Sequence, residues 1–412
     1  MRADDEALAE LRSRAVWLAE LATWRRGFVG ALAESRGGLG AALLLEPHAV
    51  AAAAAARRRR RCAVEADAET EEESSAFAAV LARGPLPEAG ADQRVVTWAD
   101  PAYPPQLREL PDPPPALFTS GLMAAGLEAL ARRHVVAVVG SRSPSPYGRE
   151  MAAAISRDLT AAGVLVISGL ALGIDAAAHE AALVAAQAAA HGRPAKGVST
   201  IAVLGCGADV EHPPSNRRLF ARVRDEGLLV SEFTWGIGAR PWRFPARNRV
   251  IAGLSEAVVM VEGAERSGAL ITTRLALELG RDVFAVPGEA GRRLSAGPHR
   301  LLREGATICE SGRDVLEALG YGDLAVGWTD RLTERAEADE TSADDPVARV
   351  RGALDEGVRT ADQIAATTGL AVPVVLALLT GLEVDGAVAA CGGGAYRLRR
   401  GRDAAAGTAS AG

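Results

Sequence analysis

Hydrophobic and polar positions change rhythm along the chain. Over residues 1–95 apolar positions recur at helical spacing among many alanines, which predicts a helical N-terminal region. From 96 to 320 short apolar runs alternate with amphipathic stretches of helical length. The runs are 135–139, 164–168, 200–204, 228–231, 257–261 and 282–286, with 306–309 as a candidate edge strand. Uninterrupted apolar strands separated by helices predict an α/β fold, a parallel sheet with helices on both faces. Residues 99–121 are dense in proline and read as an extended connector lying on that domain. Residues 321–345 turn acidic and lose periodicity, as a linker does. Pattern returns over 346–400 as three helices with glycine stops and a hairpin, the outline of a winged helix. Residues 401–412 carry no pattern and read as a disordered tail.

Charge narrows the function classes. The net charge is −6, so a nucleic-acid surface has to be local. One concentration of positive charge runs from Arg217 to Arg249, with eight arginines against Asp225, Glu226 and Glu232, or 8 − 3 = +5. The arginine run Arg57–Arg61 is followed by acidic residues and reads as a solvated helix and loop rather than a nucleic-acid patch. The N-terminus is acidic and lacks the apolar core of a signal peptide. No uninterrupted apolar stretch reaches membrane-spanning length, so a cytoplasmic protein without membrane contact is expected. The cysteines Cys62, Cys206, Cys309 and Cys391 are far apart, as reduced thiols rather than metal ligands would be.

Each strand end is followed by a loop able to hold an anion. Gly140-Ser141-Arg142 follows the first, and Ser168-Gly169 opens the loop after the second. Ser267-Gly268 begins a helix after the fifth. Glycines let backbone N–H groups approach an anion, and helix N-termini add partial positive charge. Arg142 stands where a dinucleotide site needs bare backbone, and there is no G-x-G-x-x-G or P-loop. No nucleophile elbow and no obligatory carboxylate pair are present, so no catalytic residue, no metal ligand and no cofactor are assigned. Glu262 reads as a carboxylate capping a nearby loop, Asp175 as a helix cap and His179 as a packing residue.

The segments VVAVVGSRSPSPYGRE, VISGLALGIDAAAHEAAL, TIAVLGCGADVEHPPSNRRLF, FPARNRVIAGLSEAVVMVEGAERSGALITTRLALELGRDVFAVPG and HRLLREGA, in that order, resemble the DNA-processing protein A family, DprA or Smf. The resemblance is strong over 95–320 and moderate over 346–398. It implies an extended Rossmann-like domain and a SAM-like N-terminal bundle, although the family's GIGP hairpin is not visible. It also implies a cytoplasmic homodimer that binds single-stranded DNA and helps load the RecA recombinase in natural transformation. Carried over, the DNA-contacting residues are Gly140, Ser141, Arg142, Ser168, Gly169, Asn216, Arg217, Arg218, Phe220, Arg247 and Asn248, and Ser267-Gly268 is added to them. Phe220 reads equally as a stacking face and as a core aromatic. Two departures stand out: Leu172 replaces the family's arginine in GLARGID, and His299 stands where GxNxLI has asparagine. Both are expected to reshape one end of the groove. The recognition helix from Ala371 to Glu383 has no lysine or arginine, which points away from base reading. A competing reading is a Rossmann-like nucleoside monophosphate phosphoribohydrolase with its glutamate near Glu278, but the double glycine of that family is absent. A protein-interaction scaffold is a third.

Overall fold

The computed structural model describes residues 2–24, 28–60, 71–83, 95–189, 197–320, 346–355, 357, 359–384, 387–391 and 394–398. It divides into a unit at 1–324 and a unit at 325–412.

The first unit is built on nine strands: β1 (Val95–Thr97), β2 (Ala116–Gly121), β3 (Val135–Val139), β4 (Leu165–Ser168), β5 (Thr200–Leu204), β6 (Leu228–Ser231), β7 (Ala257–Met260), β8 (Asp282–Ala285) and β9 (Thr307–Ile308). Their spatial order is β1-β2-β6-β5-β4-β3-β7-β8-β9. From β6 to β9 every neighbouring pair is parallel. The seven apolar runs of the sequence are these seven strands.

The connector at 99–121 is a correction. It contains the turn of helix Pro105–Arg108 and then β2, which pairs antiparallel with β1 and with β6. Prolines cluster just before β2, where no ladder donor is lost. The segment is packed, with the buried Tyr103 hydroxyl donating to the Pro114 carbonyl at 2.7 Å.

Strands β3 to β7 are buried along their whole length because period-two alternation feeds two cores. Val135, Ala137 and Val139 enter a core with Ile167, Val258 and Met260. Val136 and Val138 enter the opposite core with Val166, Val259 and Ile155. Helices 243–254 and 268–278 cover the first face, and helices 146–161 and 174–189 the second. From β3 the chain winds through β4 and β5 to β6, then returns to β7 on the other side of β3. The β3/β7 boundary is therefore the topological switch point, where the carboxyl ends of the strands open a crevice.

The N-terminal helices have their own core around Trp17, Leu18, Leu21, Phe28 and Phe77. They are tied to the sheet domain by an Arg12–Asp100 ion pair and by Arg243. Arg243 is 2% exposed and donates to the Thr23 carbonyl at 2.9 Å, at the C-terminal end of helix Arg2–Trp24. Trp24, Phe233 and Trp242 surround its guanidinium at 5.9, 5.3 and 5.2 Å. The run Arg57–Arg61 ends helix Pro47–Arg60, and its side chains lie outside the described residues, as do 321–345 and 401–412.

The second unit contains helices Pro346–Asp355, Ala361–Thr368 and Val372–Val384. Strands β10 (Arg359–Thr360), β11 (Val388–Cys391) and β12 (Ala395–Leu398) complete the winged helix in the order β10-β12-β11. Its core gathers Val350, Ile364, Val375, Leu379 and Val388.

Candidate nucleic-acid interface

A cleft of about 600 Å³ lies over the switch point. Its floor is Val139-Gly140 at the end of β3, Gly263 after β7, and Arg247 and Asn248 from helix 243–254. Ser141, Arg142, Ser267 and Gly268 line it as well. Arg142 is exposed and lies over the Phe244 ring, 5.0 Å from its centroid. His212 meets the same ring at 5.5 Å and 34°. A smaller pocket containing Gly169, Leu172 and His212 adjoins on the other side of Phe244.

The loop after β4 is held from below. Arg247 is 5% exposed and donates to the carbonyls of Gly169 and Val203 and to Asn248 Oδ1. A Cβ on Gly169 would lie 2.1 Å from the Arg247 guanidinium, so only glycine fits. Asp175 accepts from the N–H groups of Gly169 and Ala171 at 3.2 and 3.4 Å, a cap on the loop as expected. Burial pushes the Asp175 carboxyl up and the Arg247 guanidinium down, each partly offset by the other's charge. Asn216 donates to the carbonyls of Leu170 and Ala171, both at 3.1 Å. Leu170 sits at φ +53°, a strained conformation for a branched residue that these contacts enforce.

Gly169 lines only the smaller pocket, and five further sequence-derived candidates line neither space. Ser168 is fully buried and donates to the Val138 carbonyl at 2.6 Å, stitching β4 to β3. Phe220 is 2% exposed in a core with Leu183, Leu204 and Val223, so it offers no stacking face. Asn216 props the loop, and Arg217 pairs with Glu211 at 2.7 Å. Arg218 is exposed on the same helix, beside neither pocket. Arg247 and Asn248 do reach the cleft, but from beneath.

The +5 excess of the segment is also largely taken up away from the cleft, with Arg217 paired to Glu211 outside the segment and Arg243 and Arg247 buried against carbonyls. Arg249 chelates the buried Glu232 at 2.6 and 2.8 Å, while Arg222 and Arg224 pair with Glu226 and Asp225. The rim cations come from elsewhere. Arg266 and Arg293 are exposed at the cleft, with no acidic partner among the described residues. With Phe244 they are what the sequence reading missed. The basic residues in the loops after β7 and β8 were the available signal.

At the N-terminus of helix 146–161 a dinucleotide-binding fold would seat a phosphate. Here the Glu262 carboxylate takes that position, accepting from Ser145 N–H at 2.8 Å and Ser145 Oγ–H at 2.6 Å. Glu278 lies at the opposite end of helix 268–278 from the cleft, ten residues on and about 15 Å away by helical rise. Leu172 is exposed in the smaller pocket, and His299 bonds the Gly288 carbonyl at 3.0 Å. Among the described residues no group of three or more His, Cys, Asp or Glu is placed to hold a metal, and no single helix is long and apolar enough to cross a membrane.

The profile of the family described as DNA recombination-mediator protein A matches residues 94–320, more than half of the chain. The chain belongs to the DprA/Smf family. A second profile, the DprA winged helix domain, matches residues 334–394. Protein Smf of Escherichia coli is 40% identical over 301 residues, covering 72% of this chain and 75% of that protein. DNA processing protein DprA of Streptococcus pneumoniae is 42% identical over 217 residues, covering 53% of this chain and 71% of that protein. The crystal structure of S. pneumoniae DprA aligns with a TM-score of 0.57 at 32% identity, covering 74% of this chain and 97% of that one.

Proposed function

We propose that this DprA/Smf member binds single-stranded DNA across the β3/β7 crevice and passes it to a RecA-type recombinase. The observation that carries the reading is the rim. Arg142, Arg266 and Arg293 line the cleft without acidic partners among the described residues, and Phe244 stands among them. Guanidinium groups match phosphate oxygens, and an aromatic face accepts any base. The nearby carboxylates of Asp175 and Glu262 are turned into backbone N–H groups and do not oppose a polyanion. A single strand can lay its bases against Phe244, which a duplex cannot.

The chain acts by binding rather than by catalysis, as a cytoplasmic homodimer. The hydrolase reading loses its glutamate, since Glu278 stands at the far end of helix 268–278 and does not line the crevice.

Fluorescence anisotropy of labelled oligonucleotides across a salt series tests the reading. Single strands should bind more tightly than duplex, with log affinity falling by about 0.7 per neutralised phosphate. Equal affinity for duplex, or no salt dependence, would sink it. Recombinase delivery is checked by RecA strand exchange on DNA precoated with single-strand-binding protein, which this chain should accelerate.

A further inference from the structure

Past Arg293 and Leu294 the central cleft opens into a second hollow of about 970 Å³. Those two residues line both spaces. The remaining walls are the start of helix 146–161, Glu262 and the loop after β8. The central cleft sits over β3 and β7, and this hollow over β7 and β8.

The hollow is not built for phosphate. Glu262 is held by Ser145, and Glu289 pairs with Arg292 at 2.8 Å, so the two acids here balance the two arginines, Arg292 and Arg293. What it presents is an aromatic face. Tyr147 is 44% exposed, and its hydroxyl donates to the Pro287 carbonyl at 2.7 Å. That bond pins the ring against Pro146 and Pro287, which also line the hollow. Burial and the nearby Glu262 charge keep the phenol protonated. A fixed ring beside proline faces suits a flat apolar ligand, and stacking places no demand on base identity.

We infer that Tyr147 is a second stacking platform for a nucleobase of the same single strand, reached only by strands that extend past the central cleft. Arg293, on the wall shared by the two spaces, takes a phosphate on the path between them. This rests on the single-strand reading above.

The test uses the full chain and labelled oligothymidylates graded from roughly 4 to roughly 16 nucleotides. Tyr147→Ala should weaken the longer oligonucleotides by between about 5-fold and about 150-fold. The shortest, which fill the central cleft alone, should be unaffected. Tyr147→Phe keeps the ring and loses only the tether, so it should match the wild type at every length. Loss that is equal at all lengths, loss shared by Tyr147→Phe, or no loss overturns the inference. If Tyr147→Ala unfolds, photo-crosslinking of 5-iodouracil oligonucleotides to the wild type decides. Recovery of the Tyr147 peptide supports the platform, and crosslinks confined to other peptides refute it. A wild type that binds no single strand removes both readings, whereas a binding wild type indifferent to Tyr147 removes only this one.

Discussion

Arg142 and Arg247 stand on the two sides of one crevice and have opposite roles. Arg142 is exposed over Phe244 and makes no ion pair among the described residues, so the fold does not depend on it. Arg142→Ala should cost about 1.5–3 kcal/mol of single-strand affinity, the worth of a charge-assisted bond. It should also flatten the salt slope by about 0.7, with the melting temperature unchanged, and Arg142→Lys should recover only part. Unchanged affinity and slope would remove Arg142 from the interface. Arg247 is buried, and its loss orphans the Gly169 and Val203 carbonyls. Arg247→Met should destabilise by about 1–3 kcal/mol per orphaned group, read as a lowered thermal midpoint before any binding defect. A normal melting curve with lost affinity would reverse that assignment. This division was not legible in the sequence, where both are arginines in anion-facing segments. Burial separates them, and burial depends on packing across residues far apart in the chain.

Elements were easier to read than side chains. Seven strands emerge from apolar runs because strands buried on both faces lack polar interruptions. β1 and β2 escaped because one is only Val95–Thr97 and the other follows a run of prolines. The helix at 174–189 gives a test of its packing. The Thr200 hydroxyl donates to the Val166 carbonyl, so His179 Nδ1–H donates to Thr200, and Nε2 is left buried without a partner. Burial, with the Arg247 charge, lowers the His179 pKa from its ordinary 6.5 to about 3. The unfolded chain therefore takes up a proton that the fold refuses. Stability should be intact above pH 6.5 and fall as pH drops toward 3, by at most about 1.4 kcal/mol per unit from this group. In His179→Asn that component should vanish, seen as a flatter acid limb in urea melts. Superimposable limbs would mean that His179 titrates normally.

At the scale of the whole molecule, the arginine-rich stretch of the sequence is not where the open cations of the cleft lie. Arginines between 217 and 249 mostly neutralise local acids or brace loops, and the open cations lie on three separate loops. The second unit adds no net positive charge, with 9 arginines against 13 acids over 325–412, or 9 − 13 = −4. Its helix Val372–Val384 has no basic residue and exposes Val372, Val374 and Leu376. Deleting 346–412 should therefore leave most single-strand affinity in place, measured by the same anisotropy titration; loss of most of it would move the interface to the winged helix. The Glu262 carboxylate at the head of helix 146–161 has a wider consequence. An anion covalently attached to the chain sits there at an effective concentration set by geometry, not by supply. Free nucleotides must displace it to enter, and their fluctuating pools have no purchase on that helix end.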